Sequence, residues 1–242
     1  MDNGLFWFLA VVPLTVIVSF VVHWLTIAGV DSAERRLPLC RGAYLGLSAQ
    51  LVTFAWLIAL VLRPARTATL LAAGAMTLSF VGDIFNLQFD AVRKRVGEPL
   101  FYGILAFAAA QILYIAAFLS VIPLGTLVSS GWFLALLAVL VIVPAVLFRL
   151  RVYNPERPAS IMRAAFGYGF ILGTMAAVAV AAAVLRGGSW YVVAAGALCF
   201  LLSDAIMGET TMYGRHPKTE FQVPWFTYLA AQGLILLGLA VY

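Results

Sequence analysis

Long stretches without charged residues constrain this chain more than any other feature. The run from Leu134 to Leu147 holds only apolar side chains, and 64% of the 242 residues are hydrophobic while 10% are charged. About 20 such residues cross a bilayer as a helix. Continuous apolar runs also exclude the alternating pattern of a transmembrane β-barrel. The sequence therefore predicts an all-α, polytopic membrane protein.

Eight stretches are long and apolar enough to span a membrane. They cover residues 5–29, 43–62, 67–87, 100–121, 131–149, 163–185, 190–208 and 224–242. The first is too long for the core of a signal peptide and follows Asp2 rather than a basic residue, so we expect it to remain in the mature protein. We predict a bundle of eight transmembrane helices that forms a single transmembrane domain over residues 1–242.

The 15 basic residues alternate between the two sides of the predicted bundle. Those that follow the odd-numbered spans are Arg35, Arg36, Arg41, Arg93, Lys94, Arg95, Arg149, Arg151, Arg157, Arg163, Arg215 and Lys218. The other side carries Arg63, Arg66 and Arg186. The positive-inside rule then predicts both termini outside and the basic loops in the cytoplasm. Because topology explains the net charge of +5, we expect membrane lipids and no nucleic acid as partners, and the lack of targeting signals favours the cell membrane.

Two aspartates lie near the ends of apolar stretches. Asp83 and Asp204 are each followed 28 residues later by a glutamine, Gln111 and Gln232. A carboxylate inside a hydrophobic span is costly, and by default it indicates a functional site that faces the bundle interior. Since no lysine or arginine lies in the core of a span, each aspartate is predicted to hold a proton, meet a cation or take part in chemistry.

The same separation of 121 residues relates the two aspartates and the two glutamines. The sequence Ala-Ala-Gly-Ala also occurs in both parts, at 72–75 and 194–197. This pattern indicates a duplication of four spans, with halves 1–121 and 122–242 related by an axis along the membrane normal. Chance similarity between two alanine-rich and leucine-rich segments is the alternative.

Further polar side chains share the depth of the aspartates on four predicted spans. They are Ser79, Asn86, Gln111, Tyr114, Ser203, Tyr228 and Gln232. Within one span several of them stand three, four or seven residues apart, so they share a helix face. We predict that they orient the carboxylates or bind substrate. Interhelical hydrogen bonding is the alternative, above all for Ser79, Ser203 and Tyr114.

Two other features predict packing rather than chemistry. Glycines at 82, 167, 169 and 173 are expected to allow close contact between helices, as small residues do in membrane proteins. The fifth predicted span, 131–149, is almost wholly apolar, so we expect it to be scaffold or to face lipid.

Histidine and cysteine are scarce. The chain has two of each, His23, His216, Cys40 and Cys199, too few for a three-histidine zinc site or a disulfide framework. We therefore predict no metal and no cofactor. His23, at similar depth on the first span, is a candidate contact for a lipid head group, with a structural role as the alternative.

Four sequence blocks carry a resemblance to a known family. They are Ser-Phe-Val-Gly-Asp at 79–83, Gln-Ile-Leu-Tyr-Ile at 111–115, Ala-Leu-Cys-Phe-Leu-Leu-Ser-Asp at 197–204 and Thr-Tyr-Leu-Ala-Ala-Gln at 227–232. Together they resemble the YhhN-type lysoplasmalogenases. The resemblance implies an eight-helix membrane hydrolase that cleaves the vinyl ether bond of lysoplasmalogens, giving a fatty aldehyde and glycerophospho-ethanolamine or -choline. It also implies that Asp83 and Asp204 are the catalytic pair.

Two positions depart from the family pattern. Gln111 stands where many relatives have a histidine, and the Lys-Pro pair common in their second span is absent around residues 42–50. The substrate expected from the resemblance is a lysophospholipid, and the oligomeric state is left open.

Vinyl ether hydrolysis by itself calls for two carboxyl groups in different states, one protonated and one ionised, much as glycoside hydrolysis does. Because Asp83 and Asp204 lie about one turn before the cytoplasmic ends of their predicted spans, we expect an active site that opens to the cytoplasmic leaflet. A proton-coupled transporter of small molecules or lipids is the main alternative, since duplicated halves can rock around a midplane site. A lipid-binding sensor without catalysis is a third hypothesis.

Overall fold

A computed structural model describes residues 33–62, 65–213 and 222–242, together with helical positions at 14, 17–19 and 21. All regular secondary structure in these ranges is helical, which confirms the all-α prediction. Seven helices in the described part of the chain are long and apolar enough to cross a membrane. The chain is therefore a multi-pass membrane protein. The predicted span at 5–29 and His23 lie outside the described residues.

The seven long helices correspond to the predicted spans from 43–62 onward, although α1 begins ten residues before its predicted start. They are α1 (Ala33–Leu57), α2 (Arg66–Asn86), α3 (Pro99–Leu119), α4 (Gly131–Leu147), α5 (Ala159–Arg186), α6 (Trp190–Tyr213) and α7 (Gln222–Ala240). A π-helical turn extends α1 over Ile58–Leu62 and another extends α4 over Phe148–Val152. Short helices at Asp90–Arg93 and Leu124–Val128 lie in the connections. Helix α6 continues to Tyr213, about one turn beyond its predicted end at residue 208. The added turn includes the polar residues Glu209, Thr210 and Thr211, which are buried or partly buried.

Six of the long helices form a closed ring. Along the ring, α1 packs on α2, α2 on α3, α3 on α5, α5 on α6 and α6 on α7, and α7 returns to contact both α1 and α2. Large side chains from different helices fill the interior, among them Phe54, Tyr114, Phe118 and Phe200. Polar residues on the inner faces of α2, α3, α6 and α7 are thus directed toward a common centre.

Helix α4 lies outside the ring and packs mainly against α5. Only 6% of its membrane-crossing window is buried, and its large exposed side chains are Trp132 and several leucines, valines and isoleucines. An apolar face of this kind is suited to contact with lipid tails. This agrees with the expectation for the fifth predicted span.

The glycine predictions divide into two groups. A methyl group added at Gly82 would lie 2.6 Å from the Phe107 ring, and one at Gly173 would overlap the Leu140 carbonyl oxygen. These two glycines therefore allow close helix contact, as predicted. The prediction was wrong for Gly167 and Gly169 within the described part of the chain, because no described atom lies within 4 Å of a Cβ built there.

The two most extensive helix pairs are the hairpins α2–α3 and α6–α7. Each contains a glycine in the first helix that packs on the second, Gly74 against Leu113 and Gly196 against Ile235. Equivalent residues in the two glycine contacts are 122 residues apart, nearly the same as the 121 residues that separate the two aspartates. The two hairpins are therefore built alike. Duplication of the whole halves 1–121 and 122–242 stays a prediction.

The end of α6 that follows the second aspartate is fixed by side chains from the α4–α5 connection. The Arg157 guanidinium donates to the Thr211 carbonyl at 2.8 Å, and Asn154 donates to the Met212 carbonyl at 3.1 Å. Arg151 forms an ion pair with Glu209 at 3.1 Å. Cationic groups near the C-terminal carbonyls of a helix interact favourably with its dipole, so these contacts hold α6 in place.

Candidate active site

The first aspartate is fully enclosed by protein. Asp83 lies near the end of α2 and is 1% exposed. Its Oδ2 accepts two hydrogen bonds, one from the Ser48 hydroxyl of α1 at 2.5 Å and one from the Tyr228 hydroxyl of α7 at 2.9 Å. Hydrogen bonds to an ionised group are stronger than neutral ones. Three helices thereby fix the position of this carboxyl group.

The second aspartate is less enclosed. Asp204 of α6 is partly buried, and its Oδ2 accepts a hydrogen bond from the Tyr168 hydroxyl of α5. Each aspartate is thus held by a tyrosine from a neighbouring helix. The two carboxyl groups therefore have different surroundings. Different surroundings allow one carboxyl group of a pair to act as an acid and the other as a base.

The two carboxyl groups lie on the same ring of helices but have separate hydrogen-bond partners. Phe200, one turn before Asp204 on α6, packs against Tyr228, which donates to Asp83. Gln111 lies beside Tyr168, the partner of Asp204, and Gln232 lies beside Tyr228, the partner of Asp83. Together these side chains form the polar network of the site.

Aromatic rings enclose the Asp83 side of this network. Tyr228 makes edge-to-face contacts with Phe107, Phe200 and Trp225, at centroid distances of 5.9, 5.4 and 5.4 Å. Such contacts stabilise a particular ring orientation beyond the area that they bury. Gly82 leaves the space that Phe107 occupies. The packing of apolar rings thus determines where the Tyr228 hydroxyl points.

The sequence of this framework was compared with known proteins. A model described as the YhhN family matches residues 44–239, a range that runs from within α1 to the last turn of α7. The chain belongs to the YhhN family. No curated protein and no solved structure matches it.

In this YhhN family member, most of the residues predicted from sequence lie together. Tyr228 contacts Asp83 directly. Tyr114 donates to Gln232 Oε1 at 2.5 Å across the ring, from α3 to α7, and Gln111 lies fully buried near Tyr168. Tyr114 therefore takes part both in the network and in an interhelical hydrogen bond, the two alternatives that its sequence position left open.

Three other candidates are placed differently. Ser203 donates to the Pro224 carbonyl at 2.7 Å, so it joins α6 to α7 in the manner of the interhelical alternative. The Asn86 side chain packs against Gly103 of α3, and its Oδ1 has no hydrogen-bond partner among the described residues. Asn86 therefore shares the helix face of Asp83 but makes no hydrogen bond to it. His23 lies outside the described residues.

Two residues of the site were missed by sequence reasoning. Ser48 and Tyr168 lie on the second and sixth predicted spans, where no regular polar pattern drew notice. Tyr168 stands between two glycines, and Ser48 is a small hydroxyl residue in a mostly apolar predicted span. A single hydroxyl in a membrane helix usually hydrogen-bonds to a neighbouring helix, so its partner becomes apparent only when the helices are assembled.

Acidic, histidine and cysteine side chains are sparse in the site. No group of three or more of them is placed to hold a metal ion within the residues that the structure describes. The chemical groups present are two carboxyls, three tyrosine hydroxyls, serine hydroxyls and two carboxamides. This set can donate and accept protons, orient water and stabilise a developing positive charge.

Proposed function

We propose that this protein hydrolyses the vinyl ether bond of lysoplasmalogen-like lysophospholipids within the membrane. The observation that carries the proposal is the pair of aspartates on the ring of helices, each of which accepts a hydrogen bond from a tyrosine hydroxyl of a neighbouring helix. Membership of the YhhN family supports hydrolase activity. The enclosed apolar surroundings support a lipid substrate, because a hydrocarbon chain can enter a helical bundle from the bilayer without leaving an apolar medium.

The reaction has requirements that this pair can meet. A proton is added to the β-carbon of the vinyl ether, which converts the ether into an oxocarbenium ion. Water then adds to the α-carbon and loses a proton, and the resulting hemiacetal divides into a fatty aldehyde and the free glycerol hydroxyl. One molecule of water is consumed for each bond that is broken. The step needs one proton donor and one anion, as in glycoside hydrolysis.

The two aspartates divide these tasks. One carboxyl group donates the proton, while the other stays ionised, stabilises the oxocarbenium ion and accepts a proton from water. The hydroxyls of Ser48, Tyr168 and Tyr228 hold the carboxyl oxygens in place, so little reorganisation accompanies the reaction. The reaction requires neither metal nor cofactor, because acid–base chemistry alone completes it.

The site opens toward the cytoplasmic leaflet of the cell membrane, with both termini outside. Asp83 lies three residues before the end of α2, and the connection that follows carries Arg93, Lys94 and Arg95. Basic residues at the membrane surface attract phosphate groups. A lysophospholipid would therefore place its phosphate at this rim and its ether bond near the carboxyl groups.

Aldehyde release by the purified protein in lipid nanodiscs tests the proposal. We expect aldehyde from a lysolipid with a vinyl ether bond and none from the matched lysolipid with a saturated ether bond, because only the vinyl ether can be protonated on carbon. EDTA should leave the rate unchanged. Equal inactivity toward both lipids would overturn the proposal, and loss of activity in EDTA that zinc restores would overturn metal independence.

Replacing Tyr168 by phenylalanine isolates the contribution of one hydroxyl group. The ring is retained, but Asp204 loses its hydrogen bond. A single donor to a group that changes its charge in the reaction typically contributes about 10²- to 10³-fold to kcat, so we expect kcat to fall by roughly 100-fold. The melting temperature should fall modestly, because the same bond contributes to stability. The matched control is Tyr153→Phe, on a tyrosine outside the site that stacks with Arg149. Equal rates for Tyr168→Phe and the parent protein would contradict the assigned role.

A further inference from the structure

Four polar atoms in the centre of the ring are buried without a hydrogen bond of normal distance and angle among the described residues. They are Ser79 Oγ, Gln111 Oε1, Gln111 Nε2 and Gln232 Nε2. All three side chains are 0% exposed. The two glutamines lie beside the Tyr168 and Tyr228 hydroxyls, but the geometry of a hydrogen bond is not met there. Buried polar groups in native proteins nearly always have a partner, which is either protein or ordered water. An apolar side chain would be the stable choice at these positions if nothing bound there.

Helix register brings the first two side chains to the same depth. In the antiparallel α2–α3 hairpin, Gly82 packs on Phe107 and Gly74 packs on Leu113. Ser79 and Gln111 both fall between these two contacts, so they lie at similar depth in the hairpin. Ser79 also stands one helical turn from Asp83 on the same face of α2. The unpartnered atoms of Ser79 and Gln111 therefore lie at least one turn deeper in the bundle than the Asp83 carboxyl group.

The third side chain reaches this place from the other side of the ring. Tyr114, one turn from Gln111 on α3, donates to Gln232 Oε1 at 2.5 Å. Gln232 in turn stands one turn from Tyr228, which donates to Asp83. The Nε2 atom of Gln232 thus lies between Tyr114 on the inner face of α3 and Tyr228, the tyrosine that donates to Asp83.

The chemistry of the four atoms identifies what they bind. The two carboxamide nitrogens are donors and the Gln111 oxygen is an acceptor, while the Ser79 hydroxyl can act as either. A partner must therefore both donate and accept within a small space. Water has this property, and a buried water typically makes about three hydrogen bonds to otherwise unpartnered polar groups. A hydrocarbon chain that continues past the carboxyl groups has no polar atom to offer at this depth.

We propose that Ser79, Gln111 and Gln232 form a site for one or two resident water molecules beneath Asp83. The site binds water in the absence of substrate. Its use rests on the proposed function, because vinyl ether hydrolysis consumes one water in a chamber that the lipid chain otherwise fills. A water held one helical turn from Asp83 is placed to reach the oxocarbenium ion from within the protein.

Radiolytic hydroxyl labelling of the lipid-free protein tests the site without using activity. Hydroxyl radicals formed from water in a short X-ray pulse modify only side chains in contact with water, so a buried residue is labelled when water is bound beside it. We expect labelling of Tyr114, which is 0% exposed, well above that of Phe54, which is 1% exposed in α1. The Gln111→Leu/Gln232→Leu double variant should lose this labelling and fall to the level of Phe54.

Two further variants keep the test decisive. Ser79→Ala removes a single atom from the site and should reduce Tyr114 labelling even if the double variant does not fold. Ser203→Ala removes a hydroxyl that is already paired with the Pro224 carbonyl, so it should leave the labelling unchanged. Absence of Tyr114 labelling in the parent protein, or equal labelling in Ser79→Ala and Ser203→Ala, would refute the water site.

The result is independent of the proposed reaction. If Tyr114 is labelled as expected but no lysolipid yields aldehyde, the water site stands and the hydrolase proposal fails. If aldehyde is released while Tyr114 stays unlabelled, only the water site is refuted.

Discussion

Replacing either aspartate by asparagine is expected to lower the rate of aldehyde release by about 10²- to 10⁴-fold, the usual contribution of one general acid or base. Asparagine keeps the shape of the side chain but cannot transfer the proton or carry the negative charge. The effect should be seen in Asp83→Asn and in Asp204→Asn, because the proposed reaction uses both groups. Single-turnover rates measured with a vinyl ether lysolipid would give the loss in the chemical step.

The control for these variants is Asp90→Asn. Asp90 lies at the start of the short helix after α2 and is exposed, so its replacement should leave the rate unchanged. Melting temperatures of all three variants should stay near that of the parent protein, since the side-chain carbonyl oxygen in Asp83→Asn would still accept from Ser48 and Tyr228. Full activity in either site variant would remove that aspartate from the proposed mechanism.

Gly173→Ala is expected to destabilise the protein by about 1–3 kcal/mol, the range typical of overpacking in a well-packed core. The reason lies in α4, where Pro144 stands inside the helix. Proline has no backbone N–H, so the carbonyl four residues earlier loses its usual partner. That carbonyl belongs to Leu140, and it faces the position where a Cβ on Gly173 would stand. Because Gly173 has no side chain, α5 can approach the Leu140 carbonyl, which lacks its usual N–H donor in α4. A weak Cα–H···O contact from the glycine can take the place of that hydrogen bond.

Gly169→Ala, one turn away on the same helix, provides the matched comparison. A methyl group there meets nothing within 4 Å, and alanine is favoured over glycine in a helix by about 1 kcal/mol. Thermal unfolding in one detergent should therefore show opposite shifts, downward for Gly173→Ala and level or upward for Gly169→Ala. Shifts of the same sign and size would mean that the Leu140 contact does not hold α4 against α5.

The spans could be predicted because the bilayer imposes the same requirement on each segment separately. A helix that crosses it must be about 20 residues long and apolar, so most of the seven described helices begin and end close to the predicted positions. Helix α1 begins ten residues early, because its first turns carry charged residues that do not suggest a span. Helix α6 was predicted too short, because Gly208 to Tyr213 are not apolar enough to suggest a span. Contacts such as Arg157 with the Thr211 carbonyl stabilise that end instead.

The candidate site was predicted unevenly for a related reason. Asp83, Asp204 and the two glutamines were evident, since charged and amide groups are rare within apolar segments. Their tyrosine partners were not all evident. Tyr228 shares a helix face with Gln232 and was named, whereas Tyr168 has no polar neighbour on its own helix to reveal it. Ser203 had the right depth but the wrong partner, because its hydroxyl meets the Pro224 carbonyl.

The sequence by itself therefore determined that the chain is a helical membrane protein and that two acidic groups lie within its spans. These properties follow from the free energy of transferring each segment into lipid, which depends on local composition alone. Only the tertiary structure decided that Asp83 pairs with Ser48 and Tyr228, that Asp204 pairs with Tyr168, and which glycines are in close contact. Those outcomes depend on the order of helices around the ring and on their register, and both are set by packing between segments far apart in the chain.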